Sequence, residues 1–203
     1  LKPKQMLLEK PATIAFEQKE ASAGYYVYGH GRLQGIYDRA GTAIQAADGV
    51  RGVVVTADQT KLWERGNRQL RYSLEGASAF SVNEGESSVA ACLRQALVYE
   101  GKNVDAAGGL AGGKSVFDIL NDYSGGEAVD LTGCTMEQLC YIIGKGTPVI
   151  AMTGGDSAIL LVGYDDATFT YINPETGRKP TEIIRVVEER TTGSQGTFIG
   201  YVK

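Results

Sequence analysis

The chain has 203 residues, 43% of them hydrophobic and 22% charged, and 20 basic against 24 acidic side chains leave a net charge of -4. That balance is globular and long enough for one large domain or two small ones; it excludes a disordered chain and a general nucleic-acid binder. His30 is the single histidine, which excludes chemistry built on several imidazole ligands or on a His base in the C-terminal half.

Cys92, Cys134 and Cys140 have no CxxC spacing and no histidine nearby. They read as buried apolar thiols, and no metal and no cofactor is expected. No apolar run approaches the ~18 residues of a membrane span. The sequence opens at Leu1 rather than Met, as a trimmed or mature chain does; a signal peptide or anchor upstream stays an open question.

Residues 1–11 read as a polar lead-in and residues 12–75 as a small module. Tyr25-Tyr26-Val27-Tyr28 predicts a strand. Ile36, Ala40, Ala43, Ile44 and Ala47 keep helical spacing, with Asp38 as the cap and Gly49 as the stop. Val53-Val54-Val55 and Lys61 to Arg65 predict two short strands around a turn at Asp58. The expected order is β-α-β-β, which resembles half of a ferredoxin-like fold or, in outline, a SPOR-type cell-wall-binding module. Among its aromatics, Tyr26, Tyr28 and Trp63 read either as a surface for stacking on a glycan or peptide, or as the core of a small unit.

Beyond residue 80 the composition shifts. Ser88 to Glu100 predicts a helix apolar almost all round, with Ser87 or Ser88 as N-cap and Gly101 as the stop. Gly108 to Ser115 reads Gly-Gly-Leu-Ala-Gly-Gly-Lys-Ser. It fits the bare phosphate-loop pattern but lacks a preceding apolar strand and a following long helix, so it is expected to be a flexible loop. A short helix is expected through Val116, Phe117, Ile119 and Leu120, and another capped by Thr135. The remainder predicts sheet: Pro148 to Met152, Ala158 to Tyr164 (apolar on both faces), Thr168 to Ile172 after a turn at Asp165-Asp166, and Phe198 to Val202. Thr181 to Glu189 predicts a helix. Helices followed by antiparallel strands make the fold class α+β.

Three blocks carry a resemblance. The first is Ser88-Val89-Ala90-Ala91-Cys92-Leu93 with Tyr99-Glu100-Gly101 downstream. The second is Gly146-Thr147-Pro148-Val149-Ile150, followed by Asp156 to Asp165. The third is Tyr171-Ile172-Asn173-Pro174-Glu175-Thr176-Gly177. In order and spacing, residues 80–203 resemble papain-like cysteine peptidases, most of all the double-glycine leader peptidases that process bacteriocins. The resemblance implies a papain-like domain and a Cys–His–Asp/Asn site. In such a site a helix N-terminus lowers the thiol pKa and an oriented imidazole shuttles the proton. Carried over by position, the nucleophile falls on Ser88, the base on Asp156 and the orienting group on Asn173. Asn83 stands near the expected oxyanion-hole glutamine. Two of the three catalytic positions have lost their chemistry.

The expected function is therefore a non-catalytic peptidase-like domain, extracytoplasmic, that binds a peptide or cell-envelope component through Asn83, Ser88, Asp156 and Asn173, or that scaffolds a larger envelope protein. The alternative is an unusual hydrolase with Ser88 as nucleophile, Asp156 as base and Asn173 orienting it.

Overall fold

A computed structural model describes residues 24–192 and 196–203. The chain divides between Arg68 and Gln69 into two compact units. The expected lead-in, 1–11, and the first part of the expected module, through residue 23, lie outside the described residues.

Among the described residues, the first unit is a four-stranded antiparallel sheet in the order β2-β1-β3-β4 with one helix. Strand β1 (Tyr25–Gly29) turns through His30 and Gly31, at φ 53° and 75°, into β2 (Arg32–Tyr37). Two consecutive left-handed residues are what a tight hairpin turn requires. Helix α1 (Ala40–Gly49) follows, then β3 (Val53–Thr56) and β4 (Lys61–Glu64). The order is thus ββαββ rather than β-α-β-β. Ile36 belongs to β2, and the helix starts at Ala40 with Arg39 at the N-cap and no side-chain cap, so Asp38 does not cap it. Ala40, Ala43, Ile44 and Ala47 are all buried, where α1 meets β1 and β3.

Both faces of the central strands are buried. Val27 and Val54 are register partners on one face; Tyr26, Tyr28 and Val55 cluster on the other with Leu33, Ile36 and Val53. Tyr26, Tyr28 and Trp63 are 0%, 3% and 4% exposed. They are therefore not an aromatic surface, and the core reading of these three residues is the correct one. A unit this small has few large side chains, and burying each contributes roughly 1.5–3 kcal/mol.

The second unit runs β5 (Tyr72–Ser73), α2 (Ser88–Tyr99), α3 (Ala106–Ala111), α4 (Val116–Tyr123), β6 (Ala128–Asp130) and α5 (Met136–Ile143). It continues with β7 (Val149–Gly154), β8 (Ser157–Tyr164), β9 (Thr168–Ile172), β10 (Thr181–Ile183), α6 (Ile184–Thr192) and β11 (Phe198–Tyr201). The sheet is antiparallel in the order β10-β9-β8-β7-β11-β6, and β5 pairs with the end of β8. Residues 69–75, expected in the first module, therefore belong here. Gly163 permits that pairing, since a Cβ there would lie 2.8 Å from the Tyr72 carbonyl oxygen.

The core explains the long apolar runs. Cys92, Leu93, Ala96 and Leu97 of α2 pack with Ile150, Ala158, Leu160, Val162 and Ile172. Side chains alternate along a strand, so Ile159 and Leu161 of β8 take the other face, also buried, and α5 packs against β7 and β8. A strand covered on both sides must be apolar throughout. Two expectations are corrected. Residues 181–183 are strand, with α6 starting only at Ile184. The glycine-rich stretch is not a flexible loop: α3 runs through it, capped by Asp105, whose carboxylate accepts from the Gly108 N–H at 2.9 Å. Gly109 packs closely there: a Cβ would lie 2.8 Å from Ile119 Cδ1, and that side chain would have to shift.

Candidate functional site

Helix α2 organises the site. Ser87 is its N-cap, accepting from the Ala90 N–H at 3.1 Å. Ser88 is the first helical residue and only 3% exposed. Its hydroxyl is fully committed. It accepts from the buried Ala158 N–H at 3.0 Å and donates to Glu175 Oε1 at 3.0 Å, with the Asp156 carbonyl oxygen a second acceptor at 3.3 Å. Glu175 Oε1 also accepts from the Ser157 hydroxyl at 2.8 Å.

The other expected residues arrive differently. Gly155 and Asp156 form the turn between β7 and β8, and Asp156 is exposed. Its backbone carbonyl accepts from the Val89 N–H and lies near Ser88; no carboxylate contact is made there. Asp156 thus meets Ser88 through its backbone carbonyl and not through its carboxylate. Asn173 Oδ1 accepts from the Glu175 N–H at 3.1 Å, an Asx turn that aims Glu175 at the helix. Asn173 orients that carboxylate rather than an imidazole.

Asn83 is exposed and uses its backbone. Its N–H donates to Glu86 Oε1 at 3.1 Å, and its carbonyl accepts from the Glu86 N–H at 3.0 Å. Glu86 meets Arg94 of α2 in a fork, Nε to Oε2 at 2.9 Å and Nη2 to Oε1 at 2.8 Å, and Arg94 also donates to the Ser81 carbonyl. The Arg94 bonds hold the Glu86 carboxyl below the usual carboxylate range. Val82 N–H donates to the Pro174 carbonyl at 3.1 Å, which joins this loop to the 173–177 turn.

Ser88, the Asp156 backbone, Asn173 and Asn83 therefore gather around one helix end, with Glu175 as the residue sequence reading missed. The signal for Glu175 was the Asn-Pro-Glu-Thr-Gly turn, where an Asx residue directs the backbone two positions on.

Cys92 lies one turn further along α2, fully buried, and burial pushes its thiol far up. It is a packing group, not a nucleophile. Burial also pushes Cys134 up to about 12. The phosphate-loop-like residues serve the fold: Lys114 pairs with Asp122 at 3.0 Å, and Ser115 and Asp118 form the capping box of α4. Among the described residues no group of three His, Cys, Asp or Glu side chains is placed to hold a metal ion, and no helix is long and apolar enough to cross a membrane.

No family model and no curated protein matches the chain. One solved structure does: a protein described as a "putative C39-like peptidase" from Bacillus anthracis, with a TM-score of 0.51 and 18% identity over 64% of this chain and 97% of that one. Identity that low shows the fold alone, and it is the fold read from the blocks above: α+β, papain-like, of the C39-like peptidase kind.

Proposed function

We propose that residues 69–203 form a non-catalytic relative of the double-glycine leader peptidases, retained to bind a peptide or cell-envelope component, or to scaffold, outside the cytoplasm. The observation that carries this reading is the state of the Ser88 hydroxyl. Both its acceptor side and its proton are engaged inside the fold, it is 3% exposed, and the unit contains no imidazole. A hydroxyl needs a general base matched to the working pH to become a nucleophile, and Asp156 presents only its backbone.

One observation favours a second reading, a serine hydrolase. The Ser88 proton does point at a carboxylate, but that of Glu175 rather than of Asp156. The deciding experiment exposes the full chain to a fluorophosphonate probe and a fluorogenic peptide library, with Ser88→Ala as control. No Ser88-dependent labelling or turnover is expected. Peptides from the same library that are retained on the immobilised protein, and released by Glu175→Arg, support a binding cleft. Ser88-dependent hydrolysis overturns the proposal in favour of the hydrolase.

A further inference from the structure

The opposite end of α2, roughly 17 Å from Ser88 at about 1.5 Å per residue, borders a cavity of 320 Å³. That is far more than the ~10–15 Å³ one water needs. Two helices end on it. Glu100 is the C-cap of α2 and Ser124 the C-cap of α4, and both line the space. Each helix C-terminus carries a partial negative charge of about half an electron, so their meeting favours a positive group.

The side chains sharpen this preference. Glu100 is already matched: it accepts from the buried Tyr201 hydroxyl at 2.7 Å and pairs with the Lys203 ammonium at 3.0 Å. That pair shows that an ammonium group sits well against this wall. Two further lining charges, Glu127 and Lys102, form no ion pair among the described residues, although they border the same space. Tyr123, 43% exposed, also lines the space and offers an apolar ring. A carboxylate and an ammonium that form no ion pair among the described residues, with a ring beside them, suit a molecule that carries both charges and an apolar group.

We propose that this cavity is a binding site for a small zwitterion, a free α-amino acid. Glu127 and the helix C-termini take its ammonium group, Lys102 takes its carboxylate, and the side chain lies against Tyr123. The site is separate from the Ser88 end and stands whether or not that end is catalytic.

The test is calorimetric titration of the full chain with L-leucine, N-acetyl-L-leucine and L-leucine methyl ester. L-Leucine is expected to bind saturably. The acetyl and ester forms, each lacking one charge, are expected to bind roughly tenfold more weakly or worse. Glu127→Gln and Lys102→Gln, both at exposed positions, are expected to cost leucine the same factor while unfolding at the wild-type temperature. Absence of saturable leucine binding overturns the proposal. So does equal binding of all three compounds, which marks an apolar contact only, or unchanged affinity in both variants.

Discussion

Ser88→Ala separates a structural serine from a catalytic one. The substitution deletes an oxygen that is 3% exposed, accepts from the Ala158 N–H at 3.0 Å and donates to Glu175 at 3.0 Å. Two losses follow. The Ala158 N–H is left buried without a partner, at about 1–3 kcal/mol. The bond to Glu175 is lost too, but Glu175 is exposed and keeps Ser157, so that loss is worth at most about 1 kcal/mol. The expected destabilisation is about 2 kcal/mol, or roughly 4–8 °C in Tm for a chain of this size. The assay is thermal and urea unfolding of both proteins, with an unchanged urea slope showing that the comparison is of stability alone. Catalytic groups behave in the opposite sense: sites shaped for activity are strained, and replacing them tends to be neutral or stabilising. A Ser88→Ala protein as stable as wild type would refute the structural reading of this hydroxyl.

Two other perturbations probe what surrounds it. Glu86→Gln breaks the fork to Arg94 that fastens the 81–86 loop to α2, an expected loss of about 2 kcal/mol for a largely buried charged bond. Because Arg94 lowers the Glu86 pKa from its ordinary 4.5, the stability it contributes is fully present above about pH 4.5 and is lost as pH falls through the lower, folded value. The Tm difference between wild type and Glu86→Gln is therefore expected to be constant at neutral pH and to shrink on acidification below 4.5; a difference that grows there contradicts the assignment. Gly163→Ala places a Cβ 2.8 Å from the Tyr72 carbonyl oxygen and 3.3 Å from the Ser73 Cα. Backbone cannot swing aside like a side chain, so a loss of about 1–3 kcal/mol is expected, with faster amide exchange at Leu74, whose N–H bonds to Val162.

The elements legible in the sequence were those with two concordant signals. Helix α2 combined an apolar surface with a serine cap, α5 a Thr135 cap with apolar residues at helical spacing, and β8 an apolar run on both faces that fits a strand covered on both sides. The elements missed were short or edge-like. β5 and β6 hold two and three residues, below the length at which alternation can be seen. β2 was absorbed into the helix pattern because its Ile36 falls in helical register with Ala40. Size alone did not decide exposure for Tyr26, Tyr28 and Trp63, since large aromatics serve cores and binding surfaces alike. At the site, block order located the right loops but not the chemistry. Position put Asp156 beside Ser88, and the turn geometry decided that its carbonyl, not its carboxylate, faces inward. Glu175 reaches the helix through the Asx turn of Asn173, a direction that spacing does not encode.

A cysteine placed at Ser88 tests the electrostatics of this helix end. In Ser88→Cys the sulfur sits at the first position of α2, where the helix dipole favours a thiolate. Against this stands Glu175, whose carboxylate oxygen lies 3.0 Å from the Ser88 oxygen and disfavours a second negative charge beside it. The thiol is therefore expected to stay protonated at neutral pH and to hydrolyse no peptide. Adding Glu175→Gln removes the opposing charge and should lower the thiol pKa by about one unit, some 1.4 kcal/mol. Thiolate ultraviolet absorbance, followed against pH as a difference from wild type, reads this directly, because the three native cysteines are buried. A Ser88→Cys protein that is already a thiolate at neutral pH with Glu175 intact would contradict the electrostatics. If the shift appears as expected, the helix end favours an anion, and in this chain the Glu175 carboxylate meets that preference.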